Sequence, residues 1–394
     1  MHPNSSCVER FAEIYGHPAV LVSRAPGRVN LIGEHVDYQN GLVMPVALDR
    51  YLEVAAAPTD KPEIRLWSSR IDRDPLCVAV DELRPQRGAD SWANYVLGVV
   101  AQYLGDGTGV TGFDAVIDGD LPLGAGLSSS AALESASALA IEHLSGTKRS
   151  TRERARLCQA AEHQFAGVPC GFMDQVVVNE GIVGHALMID FESVSTTPLP
   201  MPKDLSLVIV NSGVKHALAD GEYAKRRADC ESATQILGIA TLREGTMALI
   251  NAFRDQLGDR LYRRAHHVIS ENARVEQFAD ALRRGDYPQF TKLMADSHAS
   301  LRDDYEVSCD ELDTLVALAS DLGAVGTRMT GGGFGGSTIN LVPDNQAAGF
   351  CKELSTAYAD EYDTKVDAFI VNPVDGARCV DLSRASSSQF RSAH

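Results

Sequence analysis

Glycine and serine residues crowd one short segment, residues 121–130, whose sequence is LPLGAGLSSS. Gly124 and Gly126 would let the backbone approach a ligand closely. The following residues, 131–140, are rich in alanine and leucine, which predicts a helix. The N-terminus of a helix carries partial positive charge and unpaired N–H donors. The segment therefore predicts a cradle for an anion, with a phosphate group as the favoured ligand.

Three other interpretations of this segment are a Walker A motif, a dinucleotide-binding fingerprint and a serine cap. It is not a Walker A motif, because no Gly-Lys-Ser or Gly-Lys-Thr occurs in the chain. A dinucleotide-binding fingerprint would need a third glycine where Ser129 stands. A serine cap in front of a core helix would use the same residues. Taken alone, the segment supports this cap as well as it supports phosphate binding.

A second segment, residues 24–41, mixes charged residues with apolar or small ones between two turn signals, Pro26-Gly27 and Asn40-Gly41. Its chemically capable side chains are Arg28, Glu34, His35 and Asp37. A solvated surface loop is the alternative, but such loops seldom carry so many apolar neighbours. We therefore favour a partly buried polar site.

Two further carboxylates stand in unusual positions. A capping box at Ser150–Glu153 predicts a helix that continues to Ala166, which places Glu162 near its C-terminal end. A carboxylate is unfavourable there because of the helix dipole, so either exposure to solvent or a metal or cationic partner is expected. Asp174 lies among glycine and apolar residues, and an ordinary Asp at a helix N-terminus is the alternative to a functional role.

Composition limits the classes of function. The chain has 394 residues and a formal net charge of −17, which disfavours a nucleic-acid surface because nothing general would attract a phosphate backbone. No apolar segment approaches membrane-spanning length, since Glu142 interrupts the best helical candidate. We expect small-molecule ligands, held by a few local donors or a metal ion.

The start of the chain and its cysteines predict a cellular compartment. The first six residues, MHPNSS, have neither a basic start nor an apolar run, so no secretory signal is expected. The eight cysteines are dispersed without a Cys-x-x-Cys pair, which is neither a zinc pattern nor a disulfide framework. Reduced, structural thiols in a cytoplasmic protein are the expectation.

Local patterns predict the elements that must position these residues. Strands are expected at 19–23, at 42–57 with a break at Asp49-Arg50, and at 64–68, 113–118, 205–210 and 337–342. Helices are expected at 8–15, 92–101, 131–140, 150–166, 222–237, 265–284, 288–301 and 309–322. The aromatic residues Trp92 and Tyr95 are interpreted as core. The proline-rich segment 198–202 predicts a connection between two halves, and residues 385–394 predict a frayed tail.

A second glycine cluster, residues 331–336, contains a Gly-x-Gly-x-x-Gly match. A strand rather than a helix is predicted to follow it, so it is weak evidence for a Rossmann site. This many glycines instead indicate close approach of the loop to another backbone or to a ligand.

Three of these stretches together resemble a known family. Residues 27–38, GRVNLIGEHVDY, resemble the galactokinase signature. Residues 121–132, LPLGAGLSSSAA, resemble the ATP-binding motif of the galacto-, homoserine, mevalonate and phosphomevalonate (GHMP) kinases, and residues 328–336, RMTGGGFGG, resemble their third motif. The order and spacing also suit the family, and the resemblance covers nearly the whole chain. The first motif is specific for galactokinase-type sugar kinases, whereas the other two identify the superfamily.

The resemblance implies an α+β protein with two domains. Residues 1–202 would form an N-terminal domain with a ribosomal-protein-S5-like fold, and residues 203–394 a ferredoxin-like C-terminal domain, with the active site in the cleft between them. The implied reaction is ATP-dependent phosphorylation of D-galactose at its C1 hydroxyl, which yields galactose 1-phosphate and ADP. Mg²⁺ would assist. A monomer with galactose and ATP as its ligands, and with no nucleic-acid or membrane partner, is expected.

The resemblance also assigns roles to individual residues. The catalytic pair would be Arg28 and Asp174, and Ser130 and Glu162 would serve the magnesium ion. The sugar would be held by Glu34, His35, Val36, Asp37, Gly171 and Tyr223. The ATP would be held by Ser68, Gly124, Ala125, Gly126, Leu127, Ser128, Ser129 and Ser130. Val36 stands where threonine is common in the family, and Gln39-Asn40 also departs from the usual pattern.

Other functions follow from the same residues. A related sugar kinase could act on N-acetylgalactosamine, arabinose or galacturonate. A catalytically silent sensor of galactose and ATP is a candidate from another class, although the presence of Arg28, Glu162 and Asp174 speaks against silence. A Rossmann oxidoreductase is the most distant alternative.

Overall fold

A computed structural model of the protein describes residues 6–71, 73–215 and 219–383. The tail predicted at 385–394 lies outside the described residues. Helices and strands alternate along the chain and build three sheets. Within the described ranges, no helix is both long enough and apolar enough to cross a membrane.

Each predicted helix is present, although one of them begins at Arg254 and not at 265, and the helices at 173–180, 247–252 and 347–362 were not predicted. The helices are α1 Ser6–Tyr15, α2 Asn94–Gly105, α3 Ser129–Ser145, α4 Thr151–Ala161, α5 Met173–Glu180, α6 Ala219–Leu237, α7 Met247–Ala252, α8 Arg254–Arg284, α9 Tyr287–Asp303, α10 Asp310–Asp321 and α11 Ala347–Tyr362. The strands are β1 Leu21–Asn30, β2 Leu42–Val43, β3 Pro45–Pro58, β4 Glu63–Ser68, β5 Leu76–Ala79, β6 Phe113–Gly119, β7 His185–Asp190, β8 Ser195–Pro200, β9 Leu205–Lys215, β10 Gly326–Thr330, β11 Gly335–Pro343, β12 Asp367–Val371 and β13 Arg378–Asp381.

A six-stranded sheet in the order β13-β1-β3-β6-β4-β5 forms the first layer. The helix α3 packs against β1 and β3, where its alanines allow a close approach, and the Ser23 hydroxyl donates to the Ala136 carbonyl at 2.6 Å. The break predicted at Asp49-Arg50 is a bulge within the continuous strand β3, since the pairing jumps from Pro26–Tyr51 to Gly27–Leu48. The bulge lies directly before Arg28.

A second, four-stranded antiparallel sheet has the order β10-β11-β9-β12. Its strands occur in the chain as β9, β10, β11 and β12, with helices before β10 and before β12, which is the connectivity of a ferredoxin-like unit. The helices α10 and α11 pack against this sheet. The ferredoxin-like unit expected in the C-terminal half is thus present, and the second glycine cluster leads into the strand β11, not into a helix.

The two halves of the chain are interleaved at its end. The strand β13 pairs with β1, with Leu21 opposite Asp381, and so joins the first sheet. The proline-rich segment predicted as a connection forms the strand β8 and the residues after it, within a small sheet of order β2-β7-β8. The division at residues 202 and 203 stays a prediction, and the last strand crosses it.

One helical prediction is wrong in detail. The helix α4 ends at Ala161, and the predicted last turn, Glu162–Ala166, is instead π-helical. Such a turn widens the backbone spacing and is common at functional sites. It begins at Glu162, whose side chain is buried.

A buried ion pair fastens α3 to α4. Glu142, which interrupts the most apolar helical segment, accepts two hydrogen bonds of 2.9 Å from the Arg154 guanidinium. The Tyr103 hydroxyl of α2 donates to the same carboxylate at 2.6 Å. Both charged side chains are nearly inaccessible to solvent. Because α3 carries Ser130 and α4 leads into Glu162, this pair sets the distance between these two residues.

We predict that Glu142→Leu lowers the free energy of unfolding by about 3–5 kcal/mol, because Arg154 would remain buried without a counter-ion. Chemical denaturation measures the change, and the double variant Glu142→Leu/Arg154→Met should recover most of it. The control is Asp280→Ala, which breaks an exposed ion pair with Arg283 and should cost less than about 1 kcal/mol. Equal effects of the two single variants would contradict the assigned role of the buried pair.

Candidate active site

A cavity of about 680 Å³ opens between the two halves of the chain. Its walls combine the first and third predicted motifs with the segment 162–174, and the glycine–serine loop reaches this wall through hydrogen bonds to Arg28 and Asp174. The lining includes Arg28, Glu34, His35, Asp37, Glu162, Cys170, Gly171, Asp174, Tyr223 and the residues 331–334. Every residue predicted for catalysis, and every residue predicted for the sugar except Val36, lines this cavity.

Arg28 and Asp174 form a bidentate ion pair in the cavity wall. Arg28 Nε donates to Asp174 Oδ1 at 2.7 Å, and Nη2 donates to Oδ2 at 2.8 Å. The third guanidinium nitrogen, Nη1, donates to the Gly126 carbonyl at 2.6 Å. Because Arg28 is almost fully buried and Asp174 is partly exposed, the pair presents the carboxylate to the cavity.

The serine cap considered for α3 does not form. Ser128 adopts a left-handed backbone conformation, with φ of 57°, and makes no side-chain hydrogen bond to the helix backbone. Its hydroxyl donates instead to Asp174 Oδ2 at 2.5 Å. The serine that directly precedes the helix therefore belongs to the ion-pair network, and the free N–H groups of the first turn are not consumed by its side chain.

The glycine–serine loop has the shape of a backbone cradle. Gly124 and Gly126 both have φ of 73°, which is the left-handed region that favours glycine. The side chains of Ala125 and Leu127 are buried in the core, so only their backbone atoms can face a ligand. The loop is fastened to the strand β11, directly after the third motif, because the Ser337 hydroxyl donates to the Ala125 carbonyl at 2.7 Å.

Glu162 is buried and hydrogen-bonded, not solvent-exposed. Its Oε2 atom accepts from Gln175 Nε2 at 2.8 Å and from the Cys170 thiol at 3.2 Å, and the Ser130 hydroxyl also contacts the carboxylate. Burial raises the pKa of Glu162, and the charge of Asp174 acts in the same direction. A cation at this position would offset both effects.

The donors around Glu162 fit a hard divalent ion. Mg²⁺ prefers one or two protein oxygens and completes its shell with water and phosphate oxygens. Ser130 and Glu162 offer one hydroxyl and one carboxylate. Among the described residues there is no group of three or more His, Cys, Asp or Glu side chains arranged to hold a metal. A closed transition-metal site is therefore not what this part of the molecule presents.

Asp37 and Gly171 meet in the opposite wall. A side chain at Gly171 would overlap the Asp37 carboxylate, so only glycine allows this approach. Asp37 accepts hydrogen bonds from the backbone N–H groups of Tyr38 and Met173. Burial raises the pKa of Asp37 to about 6, and the neighbouring charge of Asp174 adds to the effect. Both carboxylates thus face the same cavity.

Glu34 is held by donors from the third motif. Its Oε1 accepts from the Gly331 backbone N–H at 2.8 Å and from the Thr330 hydroxyl at 3.2 Å, while Oε2 accepts from Asn30 Nδ2 at 2.9 Å. The Arg328 guanidinium lies 3.5 Å from Oε1. The carboxylate is therefore fixed before any ligand enters.

His35 is neutral and locked. Burial lowers its pKa to about 3. Its Nε2 lies 3.1 Å from the Gly332 carbonyl, which can only accept, so this nitrogen carries the hydrogen. Nδ1 then accepts from the Tyr38 hydroxyl at 3.1 Å, which in turn lies 2.7 Å from the Tyr305 hydroxyl. The ring of Tyr223 stands 5.3 Å from that of His35 and completes an aromatic wall.

A second cavity of about 280 Å³ lies beyond the glycine–serine loop. Ser68 lines it together with Ser129 and Ser130. Trp92 and Tyr95 also line it, so the interpretation of these aromatic residues as core is incomplete: they pack against the core and face the cavity as well. Its wall is mostly apolar, which suits a flat heterocycle.

The sequence did not reveal every residue of the site, and one predicted residue lies outside it. Val36 is fully buried in the core and does not line the cavity. Arg328, Thr330, Asn30 and Tyr305 were missed. The signal that could have identified Arg328 is a charged residue three positions before the glycine cluster 331–336, inside the third motif.

Comparisons with known proteins agree with this geometry. Three protein-family models match the chain. The model described as "Galactokinase galactose-binding signature" covers residues 9–58, "GHMP kinases N terminal domain" covers residues 94–181, and "GHMP kinases C terminal" covers residues 278–360. The chain is 43% identical to the galactokinase of Homo sapiens, covering 94% of this chain and 95% of that protein. It is 41% identical to the galactokinase of Chloroflexus aurantiacus, covering 97% and 99%.

Solved structures give the same result. The crystal structure of Lactococcus lactis galactokinase complexed with galactose superposes with a TM-score of 0.90 at 32% identity, covering 94% of this chain and 98% of that chain. A mevalonate kinase structure, at 19% identity and a TM-score of 0.66, shares the fold. On these matches, the expected two-domain GHMP kinase architecture is confirmed, and the chain belongs to the galactokinase family of the GHMP kinases.

Proposed function

We propose that this chain transfers the γ-phosphoryl group of ATP to the C1 hydroxyl of D-galactose, which yields galactose 1-phosphate and ADP. The observation that supports this most strongly is the bidentate Arg28–Asp174 pair, which stands between the glycine–serine loop and the segment 34–37. A phosphoryl donor and a sugar acceptor would meet at this carboxylate. The chain acts as a monomer in the cytoplasm, and its net charge of −17 agrees with the absence of a nucleic-acid partner.

The sugar end of the cavity is built from groups that can replace water around hydroxyls. The candidates are Glu34, His35, Asp37, Gly171 and Tyr223, and Val36 contributes through the core beneath them. Asp37 accepts hydrogen bonds from sugar hydroxyls, and the ring of Tyr223 covers an apolar face of the sugar. Since Glu34 and His35 already bond to the protein, both are held rigidly; the Glu34 carboxylate keeps lone pairs for a sugar hydroxyl, whereas the His35 ring contributes its shape to the wall.

ATP occupies the other end. Backbone N–H groups of the loop residues 124–130 surround its phosphates, aided by the N-terminus of α3. The base and ribose enter the second cavity, where Ser68, Trp92 and Tyr95 lie. The apolar wall and aromatic rings of that cavity favour a stacked purine.

Mg²⁺ is held by Ser130 and Glu162 in this proposal. When bound, the ion neutralises charge on the phosphate oxygens. Gln175 and Cys170 keep the Glu162 carboxylate in place through its Oε2 atom. The other carboxylate oxygen and the Ser130 hydroxyl are then the protein oxygens that remain for the ion.

Asp174 orients the attacking hydroxyl. Its Oδ2 atom is taken up by Arg28 and Ser128, whereas Oδ1 has one partner, Arg28, among the described residues. A carboxylate oxygen can accept two hydrogen bonds, so Oδ1 is the atom that accepts from the C1 hydroxyl and takes its proton. Arg28 orients the carboxylate and attracts the transferring phosphoryl group.

A panel of sugars tests the substrate. In a coupled assay of ADP release, we expect turnover with galactose and at least about tenfold lower kcat/KM for N-acetylgalactosamine, arabinose and galacturonate, because rigid polar groups reject ligands that leave them unpaired. Faster turnover of one of these sugars would reassign the substrate. If the protein bound galactose but released no ADP with any of the sugars, it would be a sensor and not an enzyme.

Asp174→Asn separates catalysis from a structural role. We expect kcat to fall by about 10³-fold, because the amide cannot take the proton and cannot accept two hydrogen bonds from Arg28. The matched control is Asp310→Asn, since Asp310 also stands in the first turn of a helix but is exposed. A thermal melt verifies the fold of both variants. A near-normal kcat for Asp174→Asn would remove the proposed role.

Ser130→Ala tests the magnesium site. We expect the Mg²⁺ concentration for half-maximal activity to rise by about tenfold, because one of two protein oxygens is lost, while the Kd for galactose stays unchanged. Ser137→Ala is the control, since this buried hydroxyl of α3 has no hydrogen-bond partner among the described residues. An unchanged magnesium dependence for Ser130→Ala would place the metal elsewhere.

A further inference from the structure

The loop that carries Glu34 and His35 is held in place by the C-terminal half of the chain. Two fully buried charged residues, Glu271 and Arg328, contact its backbone from the side away from the cavity. Neither residue lines the cavity. Their contacts therefore act on a ligand only through the loop.

Glu271 lies on α8 and accepts the backbone N–H of Gly33 on its Oε1 atom at 2.8 Å. The same oxygen accepts from the Ser297 hydroxyl at 2.7 Å, and Oε2 accepts from Arg274 Nε at 2.6 Å. Burial alone would raise the pKa of Glu271, but the charges of Arg274 and other neighbours hold it at about 2. The carboxylate is thus ionised, and it is aimed at the backbone immediately before Glu34.

The backbone that Glu271 binds has an unusual conformation. Gly33 has φ of 96°, and a side chain there would collide with the Leu42 carbonyl. Two residues later, His35 has φ of 59°, which is uncommon for a residue with a side chain. Such a conformation costs free energy and persists only where its surroundings hold it. The Gly33 hydrogen bond is one of the contacts that hold it.

Arg328 fastens the other side of the same loop. Its Nη1 atom donates to the carbonyls of Asn30 and Leu31, at 3.1 and 3.2 Å, and lies 3.5 Å from Glu34 Oε1. Behind the loop, His267 Nε2 donates to the Glu34 carbonyl at 3.1 Å. The residues before and after Gly33 are therefore tied to buried side chains of the C-terminal half.

This arrangement is costly if its purpose is stability alone. Replacing a buried charged group and its partners by apolar residues of similar volume is often neutral or stabilising. Arg328 also leaves its Nε and Nη2 atoms without partners among the described residues. The charged groups form directional hydrogen bonds to particular N–H and C=O groups of the loop, which apolar residues could not form.

We propose that Glu271 and Arg328 are positioning residues for sugar binding, which hold the loop of residues 30–35 in the conformation that presents Glu34 and His35 to the sugar. The inference rests on the proposed function, because it assigns the loop to galactose. It adds residues of α8 and β10, from the C-terminal half, to the determinants of sugar affinity. ATP, at the other end of the cavity, does not depend on them.

The test compares the two substrates in Glu271→Met. We expect KM and the directly measured Kd for galactose to rise by about tenfold or more, because the Gly33 N–H loses its acceptor and the loop shifts. The KM for ATP should stay within about twofold, since the glycine–serine loop is untouched. Glu271→Gln keeps an acceptor at the same place and should restore most of the galactose affinity. Calorimetric titration with galactose and a thermal melt complete the measurement.

Glu276→Gln is the matched control, because Glu276 is an exposed carboxylate on the same helix. If Glu271→Met does not fold, the Arg328→Lys variant tests the proposal instead, and we expect the same rise in its KM and Kd for galactose. A folded variant with wild-type galactose affinity, or equal rises in KM for both substrates, would overturn the proposal. Failure of both variants to fold would also overturn it, since it would assign the residues to stability. Wild-type turnover of galactose tests the proposed function separately.

Discussion

The ion pair between Arg28 and Asp174 is the interaction on which the site depends, because it joins three parts of the chain that are far apart in sequence. Arg28 lies near the C-terminal end of the strand β1, and Asp174 lies in the first turn of the helix α5. Arg28 contacts the glycine–serine loop at the Gly126 carbonyl, and Asp174 contacts it at the Ser128 hydroxyl. A buried guanidinium with a carboxylate on one side and a carbonyl on the other has little freedom to move. The carboxylate therefore faces the cavity in one orientation, which is what in-line transfer requires.

The halves of the chain contribute different things to this site. Residues before 202 supply the four carboxylates and the guanidinium that line the cavity. The C-terminal half supplies contacts that fix the lining, such as the Gly331 N–H on Glu34 and the Gly332 carbonyl on His35. The third motif is rich in glycine because its backbone makes these contacts directly. Pairing of β13 with β1 returns the chain to the first sheet and makes the halves mutually dependent.

Much of this was predictable from the sequence, because local chemistry and periodicity carry it. The positions of most long helices and of the central strands followed from apolar spacing, whereas short elements such as α7 and β10 did not. The polar segment around Arg28 stood out by its mixture of charges and apolar residues. The family resemblance then brought Asp174 and Gly171 into the site, although nothing near them in sequence indicates a partner 146 residues away. Ser128 shows the limit: a serine before a helix predicts a cap, and only the fold reveals that an aspartate competes for its hydroxyl. The contacts of Glu271 and Arg328 could not be predicted from the sequence, since their partners are backbone groups of a distant loop.

The balance of charge explains why a metal ion suits this cavity. Four carboxylates line it, those of Glu34, Asp37, Glu162 and Asp174, and the one guanidinium in the described lining, that of Arg28, is already paired. The charge of −17 on the whole chain adds to a field that repels phosphates. Backbone N–H groups of the glycine–serine loop offset part of this repulsion, but their dipoles are fixed and partial. A divalent cation beside Glu162 would supply the remaining positive charge where burial and Asp174 already make an ionised carboxylate unfavourable. The same negative charge does not repel a neutral ligand that carries hydroxyl groups, which is consistent with an uncharged sugar as the acceptor.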